Sequence, residues 1–307
     1  MSLDRITGLL LIEVRNSNPN GDPDRESDPR QRADGRGEIS PVSVKRKLRD
    51  LIDNKDGPVW QETGAKLNPD HFHILESRGR RRDEIEDEIV KDGAKRFVEK
   101  YWDGRVFGNT FLEKESAIKE RHPKATKQEI AKIGKAMSGN IRTGVVQFGL
   151  GVSIAPVRIE RKTMTSKSGV EEGIDRGMAP LAYRIVEHGL YEMPFFVNPS
   201  TADRSGCKGD DIELLLKVLP HIFSHTSSLA RTQVYLRHIY VLRHASPLGS
   251  VSDFRLLDAL RPKRKGDSNL PSTGVEALNE EYEVPDLANA MKPFRDKLKE
   301  DARDIAI

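Results

Sequence analysis

The amino-acid sequence predicts an α+β fold: a ferredoxin-like βαββαβ sheet with helices packed on it and insertions between its elements. Two observations carry this. Short apolar, partly β-branched runs and amphipathic helical patterns follow one another in the order strand, helix, strands, helix, strand. Apolar residues make up 36% of the 307-residue chain, enough for one large or two small cores, while charged residues reach 32% and imply much solvated or partner-facing surface.

The first strand is Leu9 to Val14, LLLIEV, which ends the apolar run from Ile6. About 25 residues rich in Asn, Asp, Gly, Pro and Arg follow, opening with Asn16 to Asp24, NSNPNGDPD. A loop of that length is functional or unstructured. Ser40 is a good helix N-cap, and Pro41 suits the first helical position, where its missing N–H costs nothing. In the helix Val42 to Asp53, Val44, Leu48, Leu51 and Ile52 share one face; Lys45 and Arg49 share another, with Arg46 beside them.

Residues 57–140 read as a helical insertion between the first part of the sheet domain, 1–56, and its remainder, 141–260. The insertion holds a charge-rich helix, Arg82 to Tyr101, with Ile85, Ile89, Phe97 and Tyr101 as its apolar stripe. A second helix opens with the capping box Thr126 to Glu129. Trp60 and Trp102 read as insertion core. From Arg142 to Lys162 the pattern turns to β, and Gly144, Gly149 and Gly151 mark close backbone approach. Met164 to Met178 has no apolar face and reads as a mobile loop or hairpin tip. Tyr183 to Val197 reads as a strand pair, Asp210 or Asp211 as the cap of a helix disturbed at Pro220, and Val234 to Leu242 as a strand. The tail, 261–307, reads as polar and irregular with one short helix near Asp286 to Arg303.

Several functions are disfavoured. No apolar run approaches the length of a membrane span, and the start of the chain lacks a signal-peptide pattern, so the expected setting is cytoplasmic, without membrane contact. A single cysteine, Cys207, leaves no disulfide framework and no multi-cysteine zinc site. Asp22, Asp24 and Asp28 miss the calcium-loop spacing, and His221 and His225 lack the glutamate of a HExxH zinc motif. No cofactor and no metal is expected.

The net charge is only +3, but its distribution is uneven. Residues 30–49 carry seven basic residues against Asp34 and Glu38, a local surplus of +5. Residues 231–265 carry eight against Asp253 and Asp258, a surplus of +6. Segregated basic stretches in a near-neutral chain are the footprint of a polyanion binder. Aromatic content of 6% is low for a protein that stacks every base, so phosphate and sugar contacts are the expected mode.

Five motifs occur in order: NPNGDPD after the first strand, VSVKRKLRD, YWDGRVFG, the glycine-rich GVVQFGLGVSIAPV, and FVNPSTADRSGCKGDDIELLLKVLPHIF. Together, over about Leu9 to Leu260, they resemble the backbone subunit of type I CRISPR effector complexes (Cascade), a RAMP-superfamily family, in its Csd/Csh-type branch. The resemblance implies a modified RRM-like palm with a helical insertion and a thumb-like hairpin near 160–180. It implies a non-catalytic crRNA-binding protein, assembled head-to-tail in copies of itself along the guide, beside other Cascade subunits, which presents the spacer to target DNA. The RNA-binding residues it implies are Asn18, Asn20, Ser43, Lys45, Arg46, Arg49, Arg142, Gln147, Arg158, Arg161, Lys162, Lys167 and Met178. The alternatives are a RAMP ribonuclease cutting guide or target RNA through Asp22 or Asp24, and a plain RRM-like RNA-binding protein.

Overall fold

The structure, a computed structural model, describes residues 3–109, 114–139, 142–166 and 179–306, with backbone alone at 94–95, 139, 142, 162–166 and 179–183. In chain order the main elements are β1 (Ile6–Ser17), β2 (Arg36–Ile39), α1 (Pro41–Asp53), α2 (Arg82–Lys100), α3 (Trp102–Phe107), α4 (Lys127–Gly139), β3 (Val146–Phe148), β4 (Gly151–Pro156), β5 (Ile159–Ser166), β6 (Ala179–Val197), α5 (Gly209–Val218), β7 (Val234–Arg243), α6 (Asp253–Leu260), α7 (Leu287–Met291) and β8 (Arg303–Asp304).

β1 is apolar almost throughout because both of its faces are covered. Ile6, Leu10, Ile12 and Val14 point into a core shared with α1 and α5. Leu9 and Leu11 point the other way, into a second core with α6, α7 and the tail. Leu10, Leu11 and Ile12 are fully buried, each worth roughly 2 kcal/mol by transfer from water. β1 pairs antiparallel with β6 on one side, Ile6 opposite Val197, and with β7 on the other, Ile6 opposite Arg243. The sheet order is β8-β7-β1-β6-β4-β2, and β3 and β5 also pair with β6. It is an antiparallel sheet in a mixed α/β chain.

Ser40 caps α1 as expected, its Oγ accepting from Ser43 N at 3.3 Å, with Pro41 at the start. The capping box of α4 forms too: Glu129 Oε2 accepts from Thr126 N at 2.7 Å and Thr126 Oγ1 from Glu129 N at 3.3 Å. Ile85, Ile89, Phe97 and Tyr101 of the insertion bury together with Ile118, Ile130, Ile133 and Met137. The helix carrying the first of these is broken at Gly93, which has φ 72°. Gly144 is needed: a Cβ there would lie 2.1 Å from the Phe107 carbonyl carbon.

Four expectations are corrected. Tyr183 to Val197 is no strand pair but part of the single strand β6, which serves β1 on one edge and β5, β4 and β3 in turn on the other. Gly189 there makes no turn; it clears space for Val157, whose Cγ1 would be 2.9 Å from an added Cβ. The long loop after β1 is partly structured, with a short pairing of Gly21–Asp22 to Asp28–Pro29 before β2 joins the sheet. Neither Asp210 nor Asp211 is the N-cap of α5. Lys208 holds that position, and the Asp211 carboxylate inside the first turn accepts its N–H at 2.8 Å. The tail, finally, buries Tyr282, Met291, Phe294 and Leu298 against the second face of the sheet. Its apolar residues lack a regular period, so no pattern announced the packing. The expected thumb tip, with Lys167 and Met178, lies outside the described residues.

Candidate nucleic-acid interface

At 100° per residue, the sequence of α1 distributes its side chains around three directions. Val44, Leu48 and Ile52 face the core, fully buried. Val42, Ser43 and Arg46 form an outward ridge, with Val42 70% exposed. Lys45 and Lys47, 200° apart, flank that ridge on opposite sides.

On the Lys45 side lies the insertion. Lys45 Nζ is 5.2 Å from the Phe107 ring centroid, and Phe107 is 6.3 Å from the ring of Phe148. The neighbouring Gln147 is exposed, its Nε2 donating to Gly144 O at 3.3 Å. Lys45 and Gln147 thus each lie near Phe107, Lys45 over its ring and Gln147 through Gly144, which packs against the Phe107 backbone. Arg142 joins them through backbone, pairing with Asn109. Burial, then repulsion from Arg49, lowers the Lys45 pKa.

Arg49 departs from its expected place on an open face. It is 6% exposed, donates from Nε to Asp103 Oδ2 at 2.8 Å and lies 3.1 Å from Glu76 Oε2. The reason is the YWDGRVFG segment, which lies at the seam between insertion and sheet domain. Asp103, fully buried, also accepts from Leu75 N (2.7 Å) and Glu76 N (3.2 Å). Trp102 donates to Asp211 O at 3.1 Å, so it belongs to this seam as well as to the main core. Arg105 takes Asp211 bidentately at 3.1 and 2.7 Å while donating to the carbonyls of Val98, Glu99 and His71. Such buried, fully hydrogen-bonded pairs fix geometry. Arg46 is held loosely, donating to Glu76 O at 2.5 Å with carboxylates at 3.9 and 4.0 Å.

The NSNPNGDPD loop is tied to the ridge. Asn20 Oδ1 accepts from Ser40 N at 2.7 Å, anchoring the loop to the start of α1. Asn18 is buried, and its Nδ2 donates to Ser27 O at 2.8 Å. Asp28 links the loop to the strand pair below the expected thumb: it accepts from Arg161 Nη2 at 2.5 Å and lies 3.3 Å from Arg184 Nη1. Direct bonding to Arg161 lowers the Asp28 pKa against the effect of burial. Arg158 pairs with Glu187 at 3.3 Å. Arg158, just before β5, and Arg161 with the backbone of Lys162 within it form a second region away from Lys45 and Gln147.

Two cations absent from the expected set stand out. Lys47, 6% exposed, donates to Thr226 Oγ1 at 2.7 Å and lies 5.2 Å from the Phe223 ring. Burial and the nearby Arg231 push its pKa down to about 8. Arg231 donates from Nε to Asn18 O at 3.1 Å. Both sit inside the basic runs seen in the sequence, which was the only signal for them. The thiol of Cys207 is pushed up by burial, contrary to a nucleophile. Among the described residues no group of His, Cys, Asp and Glu has metal-site geometry, and no helix is long and apolar enough to cross a membrane.

The chain is 26% identical over 224 residues to a CRISPR-associated protein Cas7 of Haloferax volcanii; the match covers 70% of this chain and 62% of that protein, so less than two thirds of the relative's length is represented. Similar solved structures include chains of a CRISPR RNA-guided surveillance complex (15% identity, TM-score 0.48, covering 98% of this chain and 87% of that one) and of its pre-nicking form (16%, 0.49, 97% and 90%). The family model of the CRISPR-associated protein Cas7 matches residues 4–283, nearly the whole sheet domain with its insertion, and the chain belongs to that family.

Proposed function

We propose that this protein is a non-catalytic crRNA-binding backbone subunit of a type I CRISPR effector complex (Cascade), multimerising head-to-tail along the guide and presenting its spacer for pairing with target DNA. The observation that carries this reading is the ridge of α1. Ser43, Lys45 and Arg46 project from a helix whose start is anchored by Asn20 and whose flank is fixed by the buried Arg49–Asp103 pair. This is a rigid row of phosphate contacts with no base-reading geometry.

The palm supports it. Taking β1, α1, β4, β6, α5 and β7 in order, the strands stand as β7-β1-β6-β4, and α1 and α5 share one core. That order supports reading the palm as a βαββαβ, RRM-like unit, whose strands stand 4-1-3-2. The other face of the sheet, where an open domain of that kind stacks bases on aromatic residues, is covered here by the tail and α6. The RNA is accordingly gripped along α1 by its backbone, and base pairing supplies sequence specificity.

Labelled repeat–spacer RNA of arbitrary spacer sequence, with and without magnesium, tests the reading on native and denaturing gels run side by side. Stepwise native shifts with intact RNA, insensitive to spacer sequence, are expected. Magnesium-dependent fragments would overturn the non-catalytic reading and make Asp22 and Asp24 the first residues to change.

A further inference from the structure

A stretch of 39 residues, Leu214 to Ser252, contains no Asp or Glu, although the chain's 48 acidic residues spread evenly would place about six there. In its middle the chain leaves the end of α5, passes Phe223 and forms an exposed loop before β7. Ser224, His225, Ser227 and Ser228 are exposed, and Leu229 is 69% exposed.

The loop is held at both ends by the elements that build the α1 ridge. At its start, Lys47 donates to Thr226 Oγ1 at 2.7 Å, while Thr226 Oγ1 itself donates to Ile222 O. At its end, Asn18 N donates to Ala230 O at 2.7 Å and Arg231 Nε donates to Asn18 O at 3.1 Å. Asn18 lies two residues before the Asn20 that anchors Ser40. The loop therefore runs alongside α1 on the side opposite Lys45 and Phe107. Arg231 reaches Asn18 through Nε, and among the described residues neither of its terminal nitrogens has an ion pair. Lys47 has no carboxylate within ion-pair distance either. Asp50 and Asp53 line a pocket beside Thr226 and Ser227 at the start of the loop, but the loop itself carries no acid, and its two neighbouring cations, hydroxyls and exposed leucine make a surface suited to an anion with an apolar part.

We propose that the loop Ser224 to Arg231 is a second contact element for the same single RNA strand, the bank facing Lys45 across the Arg46 ridge. Arg231 meets a phosphate, the serine hydroxyls and Leu229 lie against the ribose, and Lys47 acts from behind as a positioning residue. This rests on the RNA-binding reading above, and it makes α1 the floor of a channel with two walls.

The test is anisotropy of a labelled single-stranded RNA of arbitrary sequence, titrated across a salt series. The variants are Arg231→Ala, Arg231→Lys and Ser228→Glu, with Lys45→Ala/Arg46→Ala as the probe of the ridge. Arg231→Ala is expected to weaken binding about fivefold and to flatten the salt dependence by roughly 0.7 in slope, one phosphate on a single strand. Arg231→Lys is expected to keep most of the slope. Ser228→Glu adds a charge on an exposed side chain without touching the Asn18 contact, so a weakened complex from it cannot be laid to misfolding. If Arg231→Ala and Ser228→Glu bind like the parent while the ridge variant loses affinity, the second bank is wrong and the ridge reading stands. If the parent binds no RNA, both fall.

Discussion

Two stretches of this chain carry nearly the same positive surplus, +5 over residues 30–49 and +6 over 231–265, and the fold uses them in opposite ways. In the first, Lys45 and Arg46 stay on or beside an outward ridge with only loose acidic neighbours. In the second, four of the six arginines are paired. Arg237 goes to the buried Glu13, Arg243 to Asp4, Glu213 and Glu300, Arg261 to Glu192 and Asp258, and Arg264 lies near Glu281. Each run also has departures: in the first, Arg49 is bound to Asp103 while Arg30 and Arg36 lie 3.7 and 3.9 Å from Asp22 and Asp34; in the second, among the described residues, Arg231 and Arg255 have no ion pair. A local charge surplus is thus composition only. Free charge depends on which acids the tertiary fold brings across, and these come from as far as 239 residues away.

The largest effect that would sharpen the contrast is on the paired side. Glu13, fully buried, binds Arg15, Arg237 and His188 at once; His188 in turn meets Ser272 and Glu281 of the tail at 2.8 and 3.2 Å. Glu13→Ala strips Arg15 and Arg237 of their shared carboxylate, leaving His188 only that of Glu281, and is expected to cost about 4 kcal/mol in a urea titration. pH gives an independent readout. Burial pushes the Glu13 carboxyl up, but the bonds from His188, Arg15 and Arg237 outweigh it and hold it at about 2, against 4.5 ordinarily. Its stabilisation is therefore complete above pH 4.5 and lost as pH falls toward 2, roughly 3 kcal/mol. His244, lowered from 6.5 by burial, adds a loss that begins as pH drops below 6.5. Glu13→Ala should flatten the acid limb between 4.5 and 2 and leave the His244 part in place.

Next in size is the exception within the first run. Arg49→Ala strands Asp103 in the seam and is expected to cost about 3 kcal/mol, read as a lower urea midpoint with little direct loss of RNA contact. If Arg49→Ala instead leaves stability unchanged and removes RNA binding, Arg49 belongs with Lys45 after all.

The contrast also explains what was legible in the sequence. The order of core elements, the Ser40 cap and the apolar stripe of α2 were readable because each is set by residues a few positions apart. The burial of Arg49 was not, since its cause is Asp103, 54 residues on and inside an insertion. The tail's packing was hidden for a related reason: Tyr282, Phe294 and Leu298 fit a face of the sheet and follow no period of their own. Lys47 and Arg231 were visible as charges and invisible as neighbours, because only the fold of the loop before β7 joins them.

The two smallest effects probe the surfaces themselves. Lys45→Ala/Arg46→Ala should leave the urea midpoint within about 0.5 kcal/mol, because neither residue holds a buried pair, yet weaken RNA about tenfold by removing the two proposed phosphate contacts. Arg261→Ala is the matched change in the second run. Its side chain is 47% exposed and paired with Glu192 and Asp258, so the ion pair is worth at most about 1 kcal/mol. Removing it also frees two carboxylates on the tail side of the sheet, away from α1, so RNA affinity and its salt slope should match the parent. A loss of RNA affinity in Arg261→Ala as large as in the ridge variant would mean that the paired run binds nucleic acid too. Charge surplus along the sequence would then have been the better guide than the pairing that the fold imposes on it.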